Sequence, residues 1–200
     1  MTDTKLITRA DADSFEKFIP LALRTESLPP ALRTNARAFV AAISAAIATA
    51  EILDGFKKQL FYGKSEKLTT KLAHFNGILQ EATAILSEGV TAESLTDSIS
   101  MNPRVLHGLL GFVTEAGELA AVLNKGVAGE AIDAVNIQEE VSDAAWYVAI
   151  INDELKLDYY TGLTNVVNKL IVRYPDKFSS YFADNRDLDA EREQLERGLV

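Results

Sequence analysis

The sequence predicts an all-α protein, an antiparallel helical bundle, and three observations carry that reading. Apolar residues recur at helical spacing over most of the chain. No Asn-Gly or Asp-Gly turn stands between alternating apolar runs, because Asp54-Gly55 falls inside a helical pattern. Stops such as Leu28-Pro29-Pro30, Tyr62-Gly63-Lys64 and Tyr174-Pro175 punctuate the pattern at helix-length intervals.

Taken in order, Phe15, Phe18, Ile19 and Leu23 predict a first helix over about residues 13 to 25. Phe39, Ile43, Ile47, Leu53 and Phe56 predict a second, Ala-rich helix over 33 to 60. Leu72, Phe75, Leu79 and Ile85 predict a third over 66 to 88, and 91 to 97 reads as a short connector helix. Asn102 can cap the next helix and Pro103 suits its first turn. That helix is expected to end near Asn124, before a loop at 125 to 129. Two more follow over 134 to 153 and 158 to 173, and the tail from Arg186 to Arg197 reads as a charged helix.

Composition narrows the function classes. A net charge of -9 argues against nucleic acid as a partner, since such binders cluster Lys and Arg. An acidic protein still takes phosphorylated ligands when a dication bridges the like charges. With no cysteine, thiolate chemistry and disulfides are excluded. The first fifteen residues are polar and lack an apolar signal core, and no run approaches 18 uncharged apolar residues. The expectation is a soluble, cytoplasmic protein without a membrane partner.

The chemistry-bearing pattern is a double carboxylate pair. Glu115 and Glu118 stand at i and i+3 on one helix, and Glu140 and Asp143 do the same on the next. Such pairs share a helix face. Antiparallel packing across the intervening loop brings all four together. Both helices are otherwise apolar there, with Leu109, Phe112, Leu119 and Val122 on one and Ile137, Val141, Trp146, Tyr147 and Ile150 on the other. Four facing carboxylates repel strongly away from water, and a hard dication such as Mg²⁺, with Mn²⁺ as substitute, offsets that repulsion. The plainer reading is a solvated acidic stripe. A di-iron site would need Glu-x-x-His, but Lys71 and Arg104 stand three residues before His74 and His107. Glu139 is turned about 100° from Glu140 and falls outside the set. Trp146 and Tyr147 read as core aromatics, with stacking on a base as the alternative.

Cations for a phosphate chain are at hand. Lys169 and Arg173 lie at i and i+4 before the Tyr174-Pro175 stop, and Lys125 follows the first acidic helix. Each is equally placed to be a solvated cation near a helix C-terminus.

The segments HGLLGFVTEAGELAAVLNK (107 to 125), VNIQEEVSDAAWYVA (135 to 149), NKLIVRYPDKF (168 to 178) and NRDLDAEREQLE (185 to 196) resemble the MazG-like branch of the all-α NTP pyrophosphatase superfamily. The resemblance covers about half the chain. It implies hydrolysis of a (d)NTP to the (d)NMP and pyrophosphate, and Mg²⁺ held by Glu115, Glu118, Glu140 and Asp143. It implies nucleotide or phosphate contacts from Lys125, Asn136, Lys169 and Arg173. It also implies a four-helix catalytic unit, often assembled from two or more subunits, hence a homo-oligomer. A dUTP-specific or modified-nucleotide diphosphatase, a non-catalytic nucleotide- or protein-binding helical module, and a purely structural bundle stand as alternatives.

Residues 35 to 58 can be laid over 102 to 125, matching Asn35, Arg37, Glu51 and Lys58 with Asn102, Arg104, Glu118 and Lys125. Ala48 then replaces Glu115. The expectation is a degenerate internal duplication: a half over 1–70 without a metal site, a MazG-like catalytic half over 71–200, and one compact unit overall. EILDGFKKQLFYGK (51 to 64) resembles a Lys-rich turn found in relatives, so Lys57, Lys58, Tyr62 and Lys64 are candidates to serve the catalytic pocket.

Overall fold

Most of the helices begin where a short polar side chain can take up their free N–H groups. In the computed structural model, which describes residues 8 to 198, Ser14, Asn35, Asn102, Asp133, Asp158 and Asp187 all accept such bonds as N-caps. Among the described residues the elements are α1 (Phe15–Leu23), β1 (Arg33–Thr34), α2 (Ala36–Tyr62), α3 (Ser65–Ser87), β2 (Asp97–Ser98), α4 (Pro103–Val127), α5 (Ala134–Leu155), α6 (Tyr159–Arg173), α7 (Ser180–Asp184) and α8 (Leu188–Glu196). The all-α class holds. The polar stretch 1 to 7 lies outside the described residues.

Several boundaries move. Lys125, Gly126 and Val127, expected in a loop, form the last turn of α4. The connector at 91 to 97 shrinks to a 3₁₀ turn over Ala92–Ser94, and α7 was not foreseen. Gly63 closes α2 in the left-handed conformation at φ 66°, which only glycine adopts at low cost.

The chain divides into two compact units, not at residue 70 but at Leu28/Pro29 and Ser100/Met101. Residue 70 lies inside α3, which is continuous and packs along α2. Pro29–Ser100 is one unit, the α2/α3 hairpin. Its two ends are tied by the antiparallel pairs Arg33 with Ser98 and Thr34 with Asp97. Arg33 donates to the Thr96 carbonyl at 2.8 Å, and the Asp97 carboxylate accepts from the Ala36 N–H at 2.8 Å.

The other unit joins the chain up to Leu28 to the chain from Met101 onward. Two buried polar contacts bring α1 there. Trp146 Nε1 donates to the Ala22 carbonyl at 2.8 Å, and Arg104 Nε reaches Glu26 at 2.8 Å. Within this unit α4 pairs with α5 and α6 with α8.

The core is small and alanine-rich: Ala22, Ala38, Ala41, Ala48, Ala82, Ala149 and Ile150 are buried. Many large apolar side chains stay exposed, Phe112, Val113 and Val141 among them. α2 and α4 each hold an 18-residue stretch of mean hydropathy 1.6 and 1.3, so length and composition alone would let either cross a membrane. The expectation that no uncharged run approaches that length stands, but isolated charged residues do not break the apolar character of these helices. In α4, Glu115 and Glu118 sit near mid-helix, a costly place for charge in hydrocarbon.

Candidate metal centre

The site is built on the α4/α5 hairpin. Arg104, His107, Gly108, Gly111, Glu115 and Glu118 recur at three- and four-residue steps and form one face of α4. Asn136, Glu140, Asp143, Tyr147 and Ile151 form the facing side of α5. The pairing runs antiparallel: Gly108 meets Ile151, Gly111 meets Tyr147, and Glu115 meets Glu140 and Asp143.

Glu115, Glu140 and Asp143 each place a carboxylate oxygen within 4.8 Å of the others. Glu115 and Glu140 are buried and Asp143 is exposed, so the cluster opens on one side. Glu118, exposed one turn further along α4, lies outside this tight triad but close enough to act on Glu115. Burial pushes the Glu115 carboxyl above the ordinary range, and the charges of Glu118, Asp143 and Glu140 push it further. Burial and the charges of Glu115, Asp143 and Glu118 push the Tyr147 phenol up as well. None of the four carboxylates pairs with a Lys or Arg among the described residues. A partly buried, mutually repelling set of oxygen donors without a cation among the described residues fits a hard dication, and does not fit a thiophilic metal.

The other expected site residues fare differently. Asn136 donates to Glu140 and so orients a carboxylate. Lys125 is exposed in the last turn of α4, and Lys169 is half-buried on α6. Arg173 is committed elsewhere: with Arg186 it clasps the buried Glu191 of α8, Arg173 Nε donating at 2.7 Å and Arg186 Nη2 at 2.5 Å. Hydrogen bonds from Arg173 and Arg186 outweigh burial and hold the Glu191 carboxyl down at about 2. Asn165 of α6 completes the clasp by donating to the Leu195 and Arg197 carbonyls at 3.3 and 2.6 Å. Trp146 and Tyr147 are half-buried and pack edge-on against each other and His107.

Sequence reasoning missed the anchor at the far end of the hairpin. Arg104 joins Glu26 of the α1 segment to Asp153 and Glu154 of α5, at 2.8, 2.7 and 2.8 Å. The hydrogen bonds it donates to Glu26, then to Asp153 and Glu154, raise its pKa against the opposing effect of burial. The only signal was the match of Arg104 to Arg37, which itself pairs with Glu88 at the end of α3.

Compared with protein-family models, curated proteins and solved structures, the chain matches none.

Proposed function

We propose that the protein is a Mg²⁺-dependent nucleoside triphosphate pyrophosphohydrolase, with Mn²⁺ as substitute metal, that cleaves a (d)NTP to the (d)NMP and pyrophosphate. The observation that supports this best is the convergence of Glu115, Glu140 and Asp143, with Glu118 one turn away, in a cluster that no cation among the described residues compensates. The resemblance to MazG-like enzymes supplies the reaction class. A bound dication would act as a Lewis acid on the phosphates and acidify a bound water.

The chain's own groups take the remaining roles. Glu115, Glu118, Glu140 and Asp143 are the metal-holding carboxylates. Asn136 fixes the rotamer of Glu140. Lys125 and Lys169 are the candidate phosphate cations. Arg173, the third candidate, pairs with Glu191 of α8. A homo-oligomer and a cytoplasmic setting belong to the same reading, and the exposed Phe112, Val113 and Val141 offer apolar surface for assembly.

A second reading, a helical module that binds a nucleotide or protein without turning it over, draws on the withdrawal of Arg173. One assay separates the two. Pyrophosphate release is followed from the common ribo- and deoxyribonucleoside triphosphates and dUTP, with Mg²⁺ and with EDTA. Metal-dependent release from any of them supports the hydrolase, and the fastest substrate names the base. A folded protein that releases none favours the binding module.

A further inference from the structure

One turn away from the carboxylates, α4 and α5 approach closely. At that point α4 has no side chain. A Cβ on Gly111 would lie 2.1 and 2.2 Å from Cε1 and Cδ1 of Tyr147, far inside van der Waals contact. A Cβ on Gly108 would lie 2.5 Å from Ile151 Cγ1 and 3.1 Å from the Tyr147 carbonyl oxygen. Both glycines are buried. By contrast, Gly117, on the same helix, has open space where its Cβ would be. Two glycines in a helix interior cost helix stability relative to alanine, so their place opposite Tyr147 calls for a packing reason. The ring of Tyr147 lies in the slot left at Gly111, with His107 edge-on to it at 5.6 Å, and Ile151 lies against Gly108.

The slot has a short lever on the site. Gly111 precedes Glu115 by one helical turn, and Tyr147 follows Asp143 by one turn. The spacing of packed helices depends on the side chains at the contact, and metal–ligand bonds tolerate only small displacements. We propose that Tyr147, its ring seated against Gly111, is a positioning residue that sets the separation and register of α4 and α5 and thereby brings Glu115, Glu140 and Asp143 within reach of one cation. The inference rests on the metal-centre reading and adds what holds that centre in shape. The part that acts is the ring, not the hydroxyl.

The test is Mn²⁺ binding by the full chain without nucleotide, followed by electron paramagnetic resonance, with helix content checked by circular dichroism. Gly111→Ala forces the ring out of its slot or the helices apart, and weakens Mn²⁺ binding by at least about tenfold at unchanged helix content. Gly117→Ala makes the same chemical change on the open face of the helix and stays within about twofold of wild type. Tyr147→Phe keeps the ring and also stays within about twofold. Gly111→Ala combined with Tyr147→Leu relieves the collision and regains most of the affinity, which a general loss of stability would not do. Should Gly111→Ala fail to fold, Tyr147→Ala reads the same contact through loss of the ring and weakens binding by a similar factor. Wild-type affinity in Gly111→Ala, or in Tyr147→Ala, overturns the proposal, as does loss of affinity in Tyr147→Phe. If the wild-type chain itself takes up no Mn²⁺, the metal-centre reading fails and the positioning role falls with it. A defect confined to the variants belongs to the slot.

Discussion

The α2/α3 and α4/α5 hairpins solve the same electrostatic problem in opposite ways. Each has an Asn-capped first helix, Asn35 and Asn102, and an Arg two residues on that pairs with the end of the second helix, Arg37 with Glu88 and Arg104 with Glu154. They differ in how they treat acid between the helices. In α2/α3, Lys71 reaches across to Glu51 and to Asp54 at 3.3 Å, and Lys57 and Lys58 meet Asp54 at 2.8 and 2.5 Å. Burial pushes Asp54 up, but the hydrogen bonds from Lys57, Lys58 and Lys71 outweigh it and hold the group far below its usual range. Where α4 carries buried Glu115, the laid-over position in α2 is Ala48, fully buried. In α4/α5 the carboxylates face one another and Glu115 is pushed up instead. A chain that pairs its acids internally in one hairpin leaves the other set without a Lys or Arg partner among the described residues.

The largest test of that contrast is removal of a single carboxylate. Glu118→Gln or Asp143→Asn should lower turnover by at least about 100-fold while leaving circular dichroism unchanged, because removing repulsion does not unfold the apo protein. Wild-type turnover in both would remove α4/α5 from the chemistry. Within α2/α3, Asp54→Asn should leave turnover where it was.

Glu191 gives a second compensated acid within the same unit as the metal centre. Arg173→Ala leaves Arg186 as its only guanidinium partner, so the loss should be about 2 kcal/mol, less than for a fully orphaned buried charge. The pH dependence follows from the sign of the shift. Glu191 titrates at about 2 in the folded protein against an ordinary 4.5. Its contribution is therefore complete above the ordinary value and drains away as pH falls from there toward 2. Thermal melts between pH 5 and 3 should show this loss in wild type and a smaller one in Arg173→Ala. Equal slopes would mean the clasp does not hold α8.

Asn136 tests the centre more gently. Asn136→Ala frees the Glu140 rotamer and should weaken Mn²⁺ binding by about tenfold, as loss of a partner to a metal-holding carboxylate does. The same variant should not change the melting of α6 and α8, which have their own clasp.

Much of this was legible in the residues and some was not. Helical periodicity and capping located the long helices because those signals are local. The i, i+3 carboxylate pairs anticipated the clustering of Glu115, Glu140 and Asp143, though not that Glu118 falls outside it, because a face of a helix is fixed by spacing alone. The unit boundary was not legible: α1 joins α4 and α5 through Glu26 with Arg104 and Ala22 with Trp146, contacts between residues far apart in sequence. Arg173 was read as a phosphate contact beside its i, i+4 neighbour Lys169, and its pairing with Glu191, 18 residues on in α8, was not legible. Gly108 and Gly111 carried a readable signal, two glycines on the carboxylate face of an otherwise well-formed helix, and it went unread.

The smallest expected effects sharpen the contrast most, because they differ in sign. A carboxylate turned to its amide loses charge at almost constant shape. In α4/α5 that charge is opposed by its neighbours, so Glu115→Gln should stabilise the metal-free protein by about 1 kcal/mol. In α2/α3 the charge is held by three lysines at a partly exposed site, so Asp54→Asn should destabilise by about 1 kcal/mol. Both are read from thermal melts in EDTA at neutral pH. Added Mg²⁺ should then reverse the order for Glu115, raising the melting temperature of wild type more than that of Glu115→Gln, while Asp54→Asn keeps the full Mg²⁺ response. If both amides move the metal-free protein in the same direction, the hairpins do not differ in how their acids are compensated, and the case for an external cation at Glu115, Glu140 and Asp143 loses its electrostatic footing.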